Sequence, residues 1–289
     1  MFSGWDEYHL INKELAALVR SLPKSDLGEV ISYVLSAPGK RVRPLILIFS
    51  AQAFGVASSR AVNAALAIEL VHAASLVHDD ILDFGVERRG SPSTLERFGP
   101  EAALLAGDYL ISRSLNLISH YSQPVISTFA GACMSMSEGE MMDLSSTISP
   151  PEYYQCISMK TASLFAASAK IGALIAGANE KDVANLESYG MHLGLGYQVL
   201  DDLEEFMGLD QGKLSKKSSV TLPRIYSRQN PESDVQEMCI KAIDGHSEKA
   251  KSALSESSGC SEMKARLQSI VDEMTSRGLD RCRSQKSLC

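Results

Sequence analysis

Two stretches, residues 59–83 and 181–208, hold this chain to helices. In the first, Leu66, Leu70, Ala73, Val77 and Ile81 recur at spacings of three or four and form a core face. His72, Ser75, Asp79 and Asp83 recur in the same way on a second face, small and polar, which runs into the helix C-terminus. The stretch 181–208 repeats the design, with Gly194, Gln198, Asp201 and Glu205 on one stripe. Asp79-Asp80-Ile81-Leu82-Asp83-Phe84 is echoed by Asp201-Asp202-Leu203-Glu204-Glu205-Phe206. No run alternates apolar and polar residues long enough to build a sheet.

The same periodicity, punctuated by Pro and Gly, predicts helices over 6–20, 26–36, 43–54, 59–83, 101–120, 125–144, 152–177, 181–208, 233–244, 247–257 and 261–276. No Gly/Ser linker divides them, so the expectation is one all-α domain over residues 1–289, a large helical bundle. A chain of 289 residues, 45% apolar, buries a sizeable core without disulfides. Its 28 basic and 35 acidic residues give a net charge of −7, which argues against non-specific nucleic-acid binding. The longest apolar candidate for a membrane span, Pro44 to Phe49, is short and flanked by Arg41 and Arg43, and the first eight residues lack a basic segment followed by an apolar one. Neither membrane insertion nor secretion is expected. The six cysteines show no paired spacing and read as reduced thiols of a cytoplasmic protein. There is no glycine-rich nucleotide loop, nucleophile elbow or zinc spacing.

Carboxylates at i and i+4 lie over one another, about 5–6 Å apart at Cβ, and at a helix C-terminus they also oppose the macrodipole. A solvated acidic helix end accounts for one such cluster. Two similar clusters on apolar helices favour a hard divalent cation, which turns both penalties into attraction. Oxygen-only ligands suit Mg²⁺, which shares its shell with water and substrate phosphates. Matching cations stand nearby in Lys40-Arg41-Val42-Arg43, Arg88-Arg89-Gly90, Lys160-Thr161 and the Lys213, Lys216, Lys217 group. Acidic and basic sets together point to two phosphorylated substrates, at least one bridged by metal. His72, two turns before Asp79, is expected at a phosphate and His78 in a structural role. Cys133, Met134, Met136, Met141 and Met142 read as core filler.

From Gly39 to Pro223 these elements resemble, in order, those of the trans-isoprenyl diphosphate synthases, or polyprenyl synthetases. The matching elements are Gly39-Lys40-Arg41-Val42-Arg43-Pro44, Asp79-Asp80-Ile81-Leu82-Asp83 with Arg88-Arg89-Gly90, Leu105-Ala106-Gly107-Asp108, Gly139-Glu140, Lys160 to Phe165, Gly196 to Asp202, and Thr221-Leu222-Pro223. The resemblance implies a helical bundle with two acidic motifs facing a central cavity, usually as a homodimer. It implies head-to-tail condensation of isopentenyl diphosphate with an allylic diphosphate through an allylic cation. By that resemblance Asp79, Asp83, Asp201 and Glu205 hold Mg²⁺, three ions per substrate-loaded site, with Asp80 and Asp202 behind them. Arg88, Lys160, Thr161, Gln198 and Lys213 line the allylic diphosphate, and Lys40, Arg43, His72 and Arg89 hold isopentenyl diphosphate.

The chain departs from the family pattern after its second acidic motif. Glu205 stands where Asp is usual, the stretch from Phe206 to Thr221 is short, and Ser218-Ser219 replaces a Gly-Lys. In the family, bulky residues about one turn before the first motif stop product growth. Ala74 and Ser75, with Val71 a turn deeper, leave room here, so a product longer than farnesyl diphosphate is expected, geranylgeranyl or farnesylgeranyl diphosphate. Two other readings stay open at this point: a terpene cyclase or head-to-head synthase, and a non-catalytic subunit of a heteromeric synthase. The set Lys40, Arg43 and His72 speaks for chain elongation, and the intact first motif for catalysis.

Overall fold

The computed structural model describes residues 2–144, 149–209, 213–214, 221–229 and 234–286. In chain order the first helices are α1 (Asp6–Arg20), α2 (Asp26–Ser36), α3 (Val42–Gln52) and α4 (Ser58–Leu82). After a two-stranded hairpin, β1 (Glu87–Arg88) and β2 (Ser91–Pro92), come α5 (Thr94–Phe98), α6 (Pro100–Ile118) and α7 (Gln123–Asp143). Then follow α8 (Pro150–Ile157), a π-helical turn (Ser158–Ala162), α9 (Ser163–Ala176), α10 (Glu180–Phe206), β3 (Lys213–Leu214), α11 (Leu222–Gln229), α12 (Val235–Glu256) and α13 (Ser261–Lys286). The all-α class expected from the periodicity is the class observed.

Helix starts carry their local reasons. Ser25 accepts from the Gly28 N–H at 3.2 Å and Asn179 from the Asp182 N–H at 2.9 Å, capping α2 and α10. α6, α7 and α8 open with Pro in the first turn, where a missing N–H costs nothing. The main core is built on α3, α4 and α9, with Leu45 to Phe49 fully buried and Ala65, Ile68 and Leu70 packed with them. A second core gathers Tyr153, Val199, Leu203, Leu222, Ile240 and Ile243 around the C-terminal half of α10. Leu186, Tyr189 and Leu193 of the same helix belong to the first core, so α10 spans both.

Several expectations need correcting. The single helix expected over 152–177 is interrupted by the π-turn at Lys160. The two helices expected over 233–244 and 247–257 are one, α12: an interior Gly245 costs only about 1 kcal/mol, and packing against α10 outweighs it. α13 runs ten residues beyond 276, and α5, α11 and the three two-residue strands went unread because segments this short show no period. Two helical segments, Ser58–Leu82 and Pro150–Ala176, do have the length and apolarity of a membrane span, contrary to the reading that no stretch approaches it. In each, more than half of the apolar window is buried inside the molecule, at 61% and 56%.

Candidate active site

The first acidic cluster is the last turn of α4. Asp83 caps the helix, its N–H bonded to the Asp79 carbonyl at 2.9 Å, and its side chain is buried; Asp79 is half-buried. Asp80 is 2% exposed and takes a two-pronged hydrogen bond from Arg88, Nε at 2.9 Å and Nη2 at 2.8 Å. Burial works against the Arg88 charge, but Asp80, with Asp79 and Asp83, outweighs it and raises the pKa. Arg88 can be held there because the chain doubles back. Arg89 and Gly90 have φ of 55° and 77°, the two positive values that a tight type I′ hairpin turn requires. Arg89 then donates to the Pro38 carbonyl at 2.7 Å. On the other edge of β1, Lys213 pairs in register with Arg88, which brings the backbone that follows the second acidic motif beside the first. Lys216, Lys217, Ser218 and Ser219 lie outside the described residues.

The basic run before α3 is sorted by one backbone feature. Arg41, the N-cap, is left-handed at φ 52°, and its guanidinium is tied to Glu69 at 2.6 Å, Asn12 at 3.3 Å and the Ala37 carbonyl at 3.0 Å. Arg43 turns inward, its guanidinium carbon 4.2 Å from the Phe165 ring centre and Nη1 3.1 Å from His72 Nε2. Arginine only donates, so Nε2 accepts and the His72 proton sits on Nδ1. Burial, then Arg43 and three further arginines, hold His72 well below its ordinary pKa, so it is neutral. Arg43 Nε is buried with no hydrogen-bond partner among the described residues. Lys40 is exposed and shares a small pocket of about 50 Å³ with Asp201, Tyr197 and Arg281. A larger cavity of about 230 Å³ lies between α2, α4 and the hairpin, with His72, Arg88 and Arg89 on its polar wall and Val34, Leu76 and Val77 on its apolar one.

Lys160 stands in the π-turn, a geometry that recurs at functional sites. Gly139 of α7 lets the turn approach so closely that a Cβ there would come within 2.3 Å of the Lys160 backbone nitrogen. The ammonium reaches Asp143 at 2.6 Å and Glu140 at 2.7 Å. Burial alone lowers the Lys160 pKa, but Asp143, Asp79 and Glu140 reverse that and hold it above the ordinary lysine range. The charge of Asp79 therefore reaches Lys160, and that of Asp201 reaches Arg43.

On α10, Asp201 is exposed and Asp202 buried. Asp202 accepts from the Tyr153 hydroxyl at 2.6 Å and Gln198 Nε2 at 2.8 Å, and Gln198 Oε1 accepts from Thr161 at 2.8 Å. Burial, aided by Asp201 and Glu205, pushes the Asp202 carboxyl up to about 7 against these two donors. Glu205, expected at the metal, is exposed and pairs with Arg224 of α11 at 3.1 Å. Of the expected chain-length residues, Val71 and Ala74 are buried in the main core, and half-buried Ser75 donates to the His72 carbonyl at 2.9 Å. His78 lies against Gly107 between α4 and α6, a packing role.

Sequence reasoning missed Glu69, Asp143, Tyr153 and Arg224. The single acid within residues 59–78 marks Glu69, and the i, i+3 pair with Glu140 marks Asp143. Nothing local marks Tyr153 or Arg224. Among the described residues no group of three His, Cys, Asp or Glu side chains is assembled to hold a metal alone. The donors Asp79, Asp83 and Asp201 offer only oxygen, which fits Mg²⁺ completing its shell with phosphate and water.

A family model described as "Polyprenyl synthetase" matches residues 24–257. The chain belongs to the polyprenyl synthetase family. This polyprenyl synthetase is 39% identical over 274 residues to a geranylfarnesyl diphosphate synthase of Methanosarcina mazei, covering 94% of its own chain and 92% of that one. It is 39% identical over 204 residues to a geranylgeranyl diphosphate synthase of Sulfolobus acidocaldarius, covering 66% of its own chain and 61% of the other. Among solved structures, a geranyltranstransferase from Methanosarcina mazei superposes with a TM-score of 0.84 at 38% identity, over 96% of this chain and 100% of that one. The expectation of a prenyltransferase stands on this membership.

Proposed function

We propose that this polyprenyl synthetase condenses isopentenyl diphosphate head-to-tail with an allylic diphosphate and releases a product of 20 or 25 carbons, with 25 favoured. The reading is carried by the family match over residues 24–257, and the action of Asp79 on Lys160 and of Asp201 on Arg43 supports it. The 25-carbon choice is supported by the name of the M. mazei relative matched over 94% of this chain. The whole chain, residues 1–289, is taken as one synthase domain.

In this reading Lys40, Arg43, His72 and Arg89 hold the isopentenyl diphosphate. The buried, orphaned Nε of Arg43 is a donor that an anion satisfies, and the Nδ1–H of neutral His72 is a second. Arg88, Lys160, Thr161, Gln198 and Lys213 line the allylic diphosphate. Asp79, Asp83 and Asp201, with Glu205 beside them, hold Mg²⁺, taken as three ions per loaded site, with Asp80 and Asp202 behind. Bound there, Mg²⁺ neutralises the diphosphate as leaving group. Lys160 and Arg88 meet the charge that develops as the allylic C–O bond breaks and its electron pair passes to the diphosphate. The isopentenyl double bond then closes on the cation, and the proton lost goes to the released diphosphate. His72 is unsuited to take it, because its Nε2 already accepts from Arg43.

The reading includes a homodimer in the cytoplasm. Leu104, Leu105 and Leu115 of α6 and Met134 and Met141 of α7 are exposed apolar residues that a second copy would cover. The five described cysteines are free thiols. The test is incubation of the purified chain alone with labelled isopentenyl diphosphate, an allylic primer and Mg²⁺. Label in a 20- or 25-carbon alcohol after phosphatase treatment supports the reading; no incorporation without a second protein, or a cyclic hydrocarbon product, overturns it.

A further inference from the structure

A chain of hydrogen bonds leaves the candidate site through α10 and ends on a residue that no motif contains. Tyr153, on α8, is 2% exposed, and its hydroxyl donates to Asp202 Oδ2 at 2.6 Å. The other oxygen of Asp202, itself 7% exposed, accepts from Gln198 Nε2 at 2.8 Å. Gln198 Oε1 accepts from the Thr161 hydroxyl at 2.8 Å. The three bonds link residues 49, 4 and 37 positions apart, across α8, α10 and the π-turn.

The Tyr153 proton occupies Oδ2 of Asp202, so the Gln198 amide meets Oδ1 with its NH₂. That leaves Oε1 toward Thr161, and the hydroxyl proton of Thr161 is drawn into the bond with Gln198. The second N–H of Gln198 is then the donor of this pair left for a substrate. An amide has no intrinsic preference between its two orientations, so its partner Asp202, anchored by Tyr153, sets which way it faces.

We propose that Tyr153 is a positioning residue for the allylic substrate: through Asp202 it sets the orientation of the Gln198 amide and thereby which protons Gln198 and Thr161 present. The proposal rests on the reading of Thr161 and Gln198 as the allylic side of the site. It assigns Tyr153 no part in holding isopentenyl diphosphate, whose residues Lys40, Arg43, His72 and Arg89 belong to the other side.

Two variants of the full chain test it, with KM measured separately for the two substrates. Tyr153→Phe removes the hydroxyl alone. Asp202→Asn keeps the shape but presents Gln198 with an amide, and because the Tyr153 hydroxyl both donates and accepts, either face of that amide can turn to Gln198, so the NH₂-inward orientation is no longer imposed. The expected result in both is a five- to twentyfold rise in KM for the allylic diphosphate, with KM for isopentenyl diphosphate unchanged within twofold. A merely structural role lowers Tm or the active fraction without this split. Unmoved KM values, equal rises for both substrates, or failure of both variants to fold overturns the proposal; if only Tyr153→Phe misfolds, Asp202→Asn decides. Wild-type enzyme in the same assay keeps the two readings apart. No condensation by wild type sinks the proposed reaction, whereas an active wild type with unsplit variants sinks only the role of Tyr153.

Discussion

Replacing Lys160 by Ala strands two acids. The ammonium lies 2.6 Å from Asp143 and 2.7 Å from Glu140, so the oxygens it bridges are within the sum of these, 5.3 Å, of each other. Their side chains are 14% and 16% exposed, so water screens them poorly. Two unit charges about 5 Å apart repel by about 3 kcal/mol at an effective dielectric of about 20. That lies at the lower edge of the roughly 3–5 kcal/mol lost when one partner of a buried pair is removed. At about 2 °C per kcal/mol for a chain of this size, Tm should fall by about 6 °C at pH 7. The loss should depend on pH with a definite sign. In the variant, one acid has its folded pKa raised above its unfolded value by the other, so the folded state binds the extra proton. The penalty is then full near pH 7 and shrinks as the pH falls toward the ordinary carboxylate range, about 4. Calorimetric Tm at pH 7 and pH 5 measures this, and Lys160→Ala/Asp143→Asn should recover most of the stability at pH 7. That double variant should stay inactive, because the cation proposed to face the allylic diphosphate is still missing. A Tm loss under 1 °C at pH 7, or an equal loss at both pH values, would refute the electrostatic coupling inferred for this triad.

Ala74→Phe should shorten the product by at least one isoprene unit, at a cost of about 1–3 kcal/mol in stability because Ala74 is fully buried; unchanged chain length on thin-layer chromatography rules out growth along this part of α4. Asp79→Ala and Asp201→Ala should each abolish turnover while circular dichroism stays that of wild type, and near-normal turnover in either removes that acid from the site. Burial, then His192 and Lys249, push His246 down to about 4, and its Nδ1 lies 3.2 Å from that of His192. The unfolded chain therefore takes up a proton below about pH 6.5 that the folded chain refuses until about pH 4, so stability falls on acidification through this window. His246→Gln should flatten Tm against pH between those limits, and an unaltered slope contradicts the assignment.

The helices and the two acidic motifs were legible in the residues because both are local. A period of 3.6 and an i, i+4 repeat are properties of one backbone segment, so Leu66 to Ile81 and Asp79 with Asp83 declare themselves without their surroundings. The basic runs are expected at phosphates only from their places beside those motifs. Which cation meets which acid could not be read that way. Arg88 lies on Asp80, Lys160 between Glu140 and Asp143, and Glu205 on Arg224, each settled by a hairpin, a π-turn or a neighbouring helix. Those contacts cross 8 to 20 positions of chain, and that of Tyr153 with Asp202 crosses 49. Hydrogen bonds over such separations leave no period in the sequence, because neither partner constrains the residues next to it. The chain by itself determined what chemistry its helix ends carry, and only the packing of α7 against the π-turn, and of α8 and the π-turn against α10, decided which partners those groups meet.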